Sequence, residues 1–106
     1  MRGIFIYKEL LMETRIAIVS IIVEDPGVVE DLNAIIHDYR EYIIGRMGIP
    51  YKKYAISVIS IVMDAPNDTI SAFSGKLGML PKIMVKTAYS RVLNTEGDNQ
   101  TQIQGK

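Results

Sequence analysis

Residues 16–26 read IAIVSIIVEDP and residues 56–66 read ISVISIVMDAP. Laid over one another at an offset of forty positions, they match serine to serine (Ser20, Ser60) and proline to proline (Pro26, Pro66). Each copy is a β-branched run of the composition found in buried strands, and each ends at a proline of the kind that opens a helix. The chain therefore reads as two similar halves.

In the first half Asp25 is placed to cap a helix with Pro26 at its first position, where the missing N–H costs nothing, and Glu30 and Asp31 follow in the early turns. Val29, Leu32, Ile36 and Tyr39 then recur at the spacing of one helical face. The second half repeats this with Pro66, Asp68, and Ile70, Phe73, Leu77 and Leu80. A shorter strand follows each helix. The first is expected over Tyr42 to Met47, with Gly48 to Tyr51 as its exit into a hairpin. The second is expected over Lys82 to Tyr89, where Ile83, Val85, Thr87 and Tyr89 alternate with Lys82, Met84, Lys86 and Ala88.

The resulting βαββαβ order predicts an α+β, ferredoxin-like fold: a four-stranded antiparallel sheet with both helices on one face and the first and third strands central. Those central strands are apolar at both parities, although helices cover only one face of such a sheet. The other face calls for a cover, and homo-oligomerisation, as a dimer or tetramer, is the expected one.

At 106 residues the chain holds one small domain, and its twelve basic and twelve acidic residues cancel. Direct nucleic-acid binding is accordingly not expected. No cysteine is present, which removes disulfides, thiol catalysis and thiolate metal sites, and a single histidine, His37, makes no metal cluster. No cofactor, metal or catalytic residue is expected. The longest apolar run, residues 16–23, falls far short of the roughly 20 residues of a membrane-spanning helix. A cytoplasmic protein is the expectation. The domain is placed at residues 12–91, with 1–11 as an N-terminal extension and 92–106 as a disordered tail.

Ser74-Gly75-Lys76 resembles the end of a phosphate loop, but Ile70 stands where the earlier glycine belongs and Leu77 where Ser or Thr is needed. Gly75 is instead expected to let its helix approach the sheet closely, and Gly78 to end it. The carboxylates Glu24, Asp25, Glu30, Asp31, Asp64 and Asp68 all sit where helix N-termini favour negative charge. The stretch Gly45-Arg46-Met47-Gly48-Ile49-Pro50-Tyr51 supports two readings. Its glycines mark a bulge in an edge strand that Pro50, Lys52 and Lys53 protect from further pairing, or bare backbone beside the Arg46 guanidinium holds a small anion or a partner's carboxylate.

Three separated segments, METRIAIVSIIV (12–23), YIIGRMGIPY (42–51) and SGKLGMLP (74–81), closely resemble a small bacterial family, the iron-only hydrogenase system putative regulators. The likeness runs from Met12 to about Ser90 and favours Met12 as the usual start. It implies an ACT-like domain related in fold to the C-terminal domain of the nickel-responsive repressor, in an anaerobic bacterium. The repressor's DNA-binding segment and its metal-binding histidines and cysteine have no counterpart here, so nickel sensing does not carry over.

Ligands of ACT-like domains commonly bind between subunits at strand and helix ends. This makes Gly45, Arg46, Met47, Gly48, Pro50 and Tyr51, together with Ser74, Gly75, Lys76 and Gly78, the candidate surface for a small-molecule effector or a hydrogenase-system protein. Regulatory or accessory binding is the favoured function. A small enzyme on the same fold, such as an acylphosphatase-like hydrolase, and a direct transcriptional regulator remain alternatives.

Overall fold

The computed structural model describes residues 13–92. The proposed 1–11 extension and the tail beyond Val92 lie outside the described residues. Four strands, β1 (Thr14–Val23), β2 (Ile43–Tyr51), β3 (Ile56–Pro66) and β4 (Ile83–Val92), and two helices, α1 (Val29–Asp38) and α2 (Asn67–Gly78), follow in βαββαβ order. The sheet is antiparallel in the order β2-β3-β1-β4, which puts the two repeated strands side by side in its centre, as the sequence predicts.

The internal repeat is visible in the hydrogen-bonding register. Ser20 pairs with Ser60, flanked by Ile18 opposite Val62 and Ile22 opposite Val58. The two copies thus meet about a local pseudo-two-fold centred on their matching serines.

One face of the central strands carries the core. Ala17, Val19, Ile21 and Val23 of β1 and Ile59, Ile61, Met63 and Ala65 of β3 are buried against Leu32 and Ile36 of α1 and Ile70, Phe73 and Leu77 of α2. Each such large side chain withdrawn from water contributes about 1.5–3 kcal/mol. Tyr39 closes one end of this core, its ring 5.1 Å from that of Phe73 and its face 5.2 Å from Lys76 Nζ.

The predicted helix faces need one adjustment. Asp25 does cap the chain, its Oδ1 accepting from the Gly27 N–H at 2.9 Å, but the first turn, Pro26–Val28, is 3-10. The tighter turn rotates the face, so Val28 is buried and Val29, expected in the core, is exposed.

Strand β2 departs further from expectation. It is not ended by its glycines and proline but runs on to Tyr51, and the hairpin turns through Lys52–Ala55. Glycine weakens a strand without ending it, and an edge strand tolerates Pro50, which has no N–H to donate. Between Ile43 and Gly45 the register shifts by one residue, so Ile44 is an added residue and the strand carries a bulge. Strand β4 likewise runs past Tyr89 to Val92.

Among the described residues no helix is long and apolar enough to cross a membrane.

Candidate functional site

The bulge at Ile44 decides what β2 presents to each side. Upstream of it Ile43 pairs with buried Met63 and belongs to the helix side. Downstream, Arg46 opposite Ile61 and Gly48 opposite Ile59 occupy the helix side, while Met47, Ile49 and Tyr51 lie opposite Ser60, Val58 and Ile56 on the open side. An arginine and a glycine therefore stand where β2 would otherwise extend the core. They leave a cleft there instead.

That cleft, about 330 Å³, lies between α1 and β2 and is lined by Asn33, Ile36, His37, Arg40, Ile43 and Arg46. Arg46 Nη2 donates to Asn33 Oδ1 at 3.1 Å, and Arg40 Nη1 donates to the His37 carbonyl at 2.8 Å. Asn33, His37 and Arg40 follow at four- and three-residue steps and so share one side of the helix and its exit. Arg46, singled out from sequence, thus finds its partner within the chain, on α1. Of its neighbours in the cleft, His37 was weighed from sequence only as a metal ligand, and Asn33 and Arg40 were not singled out; the helical spacing of the three is the signal that could have found them. His37 is exposed in the last turn of α1, where positive charge also suits the helix terminus.

The second candidate segment lies elsewhere. Ser74 bonds Thr87 of β4, hydroxyl to hydroxyl at 2.8 Å, and β4 is the edge strand opposite β2. Roughly 14 Å of sheet separates the two edges at the ordinary strand spacing. Within one chain, then, Gly45–Tyr51 and Ser74–Gly78 do not form a common site. Lys76 stacks on Tyr39, and Gly75 and Gly78 have nothing within 4 Å of where a Cβ would stand. The expected close approach of α2 to the sheet at Gly75 is not found: Gly75 lies on the exposed side of the helix.

A smaller, mainly apolar cleft of about 240 Å³ opens where the β2–β3 hairpin meets the end of β1, lined in part by Val23, Pro26, Val29, Pro50, Tyr51 and Lys52. Among the described residues no group of three His, Cys, Asp or Glu side chains is placed to hold a metal ion.

The largest exposed feature is the open face of the sheet. Following the register across it, Ile49, Val58, Ile22 and Met84 form one row, and Val62, Ile18 and Ala88 another. Ile18 on a central strand is 44% exposed, and Met47, Ile49 and Met84 are 60%, 51% and 54% exposed. Four strands at ~4.8 Å spacing and about eight residues at ~3.3 Å rise give a face of roughly 500 Å². A third row, Met47, Ser60, Ser20 and Lys86, crosses the face between these two, so the apolar area is a part of that total, within the range of the larger patches found on monomers.

Comparison with known proteins agrees with this architecture. The model of the TM1266-like family, described as "Iron-only hydrogenase system regulator, putative", matches residues 15–87. A solved structure, the uncharacterized protein TM1266 from Thermotoga maritima, is 34% identical with a TM-score of 0.72, over 74% of this chain and 100% of that one. The ACT domain of a GTP pyrophosphokinase from Chlorobium tepidum, solved in solution, superposes with a TM-score of 0.52 at 15% identity, over 79% of this chain and 94% of that one. At that identity the likeness speaks for the ACT-like fold alone. Among curated proteins none matches the chain significantly.

Proposed function

The chain belongs to the TM1266-like family of iron-only hydrogenase system regulators, and on that premise we propose that it is a non-enzymatic regulatory or accessory module of such a system, acting as a homo-oligomer. The observation that carries this is the open sheet face. Apolar side chains at positions the helices never reach, Ile18, Val58, Ile49 and Met84 among them, are left exposed by the described residues of a single copy. A second copy offers the same face in return, as a two-fold interface requires. Two faces of roughly 500 Å² bury about 1,000 Å² together, the lower bound for a specific interface.

Binding, rather than catalysis, suits what the chain offers. Among the described residues, charged side chains are spread over helix termini and edge positions, and no hydrogen bond joins a nucleophile to a base. A host strain lacking this chain tests the proposal. Its hydrogenase activity is expected to change and to be restored by the wild-type chain, but not by Ile18→Lys, whose charge disrupts the face without touching the core. Unaltered hydrogenase activity and maturation in the deletion strain would contradict the assignment.

A further inference from the structure

We propose that the cleft between α1 and β2 is a binding site for a small organic oxyanion, a molecule with a carboxylate or phosphoryl group at one end and a short apolar body. This rests on the reading of the chain as a binding module and names the chemistry of its ligand.

Two guanidinium groups, an imidazole and a carboxamide from α1, its exit turn and β2 line one cavity of about 330 Å³, and no carboxylate shares that lining. Both arginines are held by neutral acceptors, Asn33 Oδ1 and the His37 carbonyl, rather than by acids. Each of these bonds fixes a guanidinium in place and leaves most of its N–H donors unspent. The chain carries equal numbers of acidic and basic residues, so a cleft with two arginines and, among the described residues, no carboxylate in its lining is a local concentration of positive charge against a neutral background.

Arg40 has a structural use as well: it satisfies a carbonyl at the end of α1. Arg46 has none of comparable weight. It stands on the helix side of β2, opposite buried Ile61, where an apolar residue would add to the core, and the bulge at Ile44 is what directs it there. A fork of donors fixed at the mouth of a cavity matches the planar or tetrahedral oxygens of a carboxylate or phosphate, and the floor formed by Ile36 and Ile43 suits a short hydrocarbon body. Glycine at position 48, on the same side of the strand, keeps the neighbouring space clear.

Titration calorimetry on the full chain tests this, with pyruvate, inorganic phosphate and propyl phosphate as probes, and sodium chloride at matched ionic strength as the control. Saturable binding of pyruvate or of propyl phosphate is expected, and which of them binds identifies the carboxylate or phosphoryl source. Inorganic phosphate, which lacks the apolar body, is expected to bind more weakly than propyl phosphate. Arg46→Ala and Arg40→Ala should each weaken binding about tenfold or more, as loss of a hydrogen bond to a charged group does. Arg46→Lys, which keeps the charge and loses the fork, should fall between Arg46→Ala and wild type.

Lys53→Ala, which removes a charge at the hairpin tip, should bind like wild type. The proposal is overturned if no probe binds at 10 mM, roughly the weak limit for a metabolite-sized ligand. It is equally overturned if Arg46→Ala binds like wild type, or if Lys53→Ala loses as much affinity as the arginine variants. Light scattering and circular dichroism on the same samples separate the outcomes: binding lost with mass and fold unchanged bears on this site, whereas a changed mass bears on the oligomer.

Discussion

Gly75 and Asp25 show how differently two single residues can be read. Asp25 acts on the backbone two positions away, so its role as a cap is contained in the sequence of Asp25-Pro26-Gly27 itself. Replacing it with Ala should lower stability by about 1 kcal/mol, while Asn should retain most of the bond; thermal melting followed by circular dichroism measures both. Gly75 depends on which side of α2 it occupies. With nothing within 4 Å of its absent Cβ and no positive φ, it carries the entropic cost of glycine in a helix without any packing return. Gly75→Ala should therefore stabilise the fold by about 0.5–1 kcal/mol, and a fall in melting temperature would restore the idea of a close helix–sheet approach.

At the scale of elements, hydrophobic period and proline placement made the two helices and the two central strands legible, because those signals repeat in both halves of the chain. Strand β2 was less so. Its apolar residues at 43, 47, 49 and 51 all have the same parity and read as one face, yet the bulge at Ile44 puts Ile43 on one side of the sheet and Met47, Ile49 and Tyr51 on the other. The glycines did signal a bulge in this edge strand, and one is present beside Gly45, but they do not say which residue is added. For the same reason Arg46 was singled out as unusual without its neighbours Asn33, His37 and Arg40 being joined to it: they meet it only once the strand's sidedness is known.

The two candidate segments were joined in sequence reasoning by family likeness, and the topology parts them, since Ser74 belongs to the β4 edge. Its bond to Thr87 ties α2 to that strand. A double-mutant cycle with Ser74→Ala and Thr87→Val should give a coupling of about 0.5–1.5 kcal/mol in urea unfolding, and additive single effects would show that the contact contributes nothing of its own. At the β2–β3 hairpin, Ala55 adopts φ 59°, a conformation that disfavours side chains. Ala55→Gly should stabilise the fold by up to about 1 kcal/mol, read as a higher urea midpoint; destabilisation would mean that the turn is held by more than its backbone.

At the scale of the whole molecule, the described residues form a two-layer domain in which helices cover one of the two sheet faces. The central strands are apolar on both sides because each copy of the repeat, IAIVSIIV and ISVISIVM, has hydrophobic residues at both parities. That property was legible in the sequence, and the structure places the residues concerned in two rows across the face, on either side of the row that holds Ser60 and Ser20. What a sequence does not carry is the identity of the cover, since a partner's surface leaves no trace in the strand pattern it protects.

The most direct test is the solution mass of the full chain by size-exclusion chromatography with multi-angle light scattering at micromolar concentration, alongside Ile18→Lys. Association through the sheet face predicts a wild-type mass of at least twice the 11.9 kDa of one chain, and an Ile18→Lys variant that is monomeric with an unchanged circular dichroism spectrum. A monomeric wild-type chain, or an Ile18→Lys variant that keeps the oligomer intact, would contradict it.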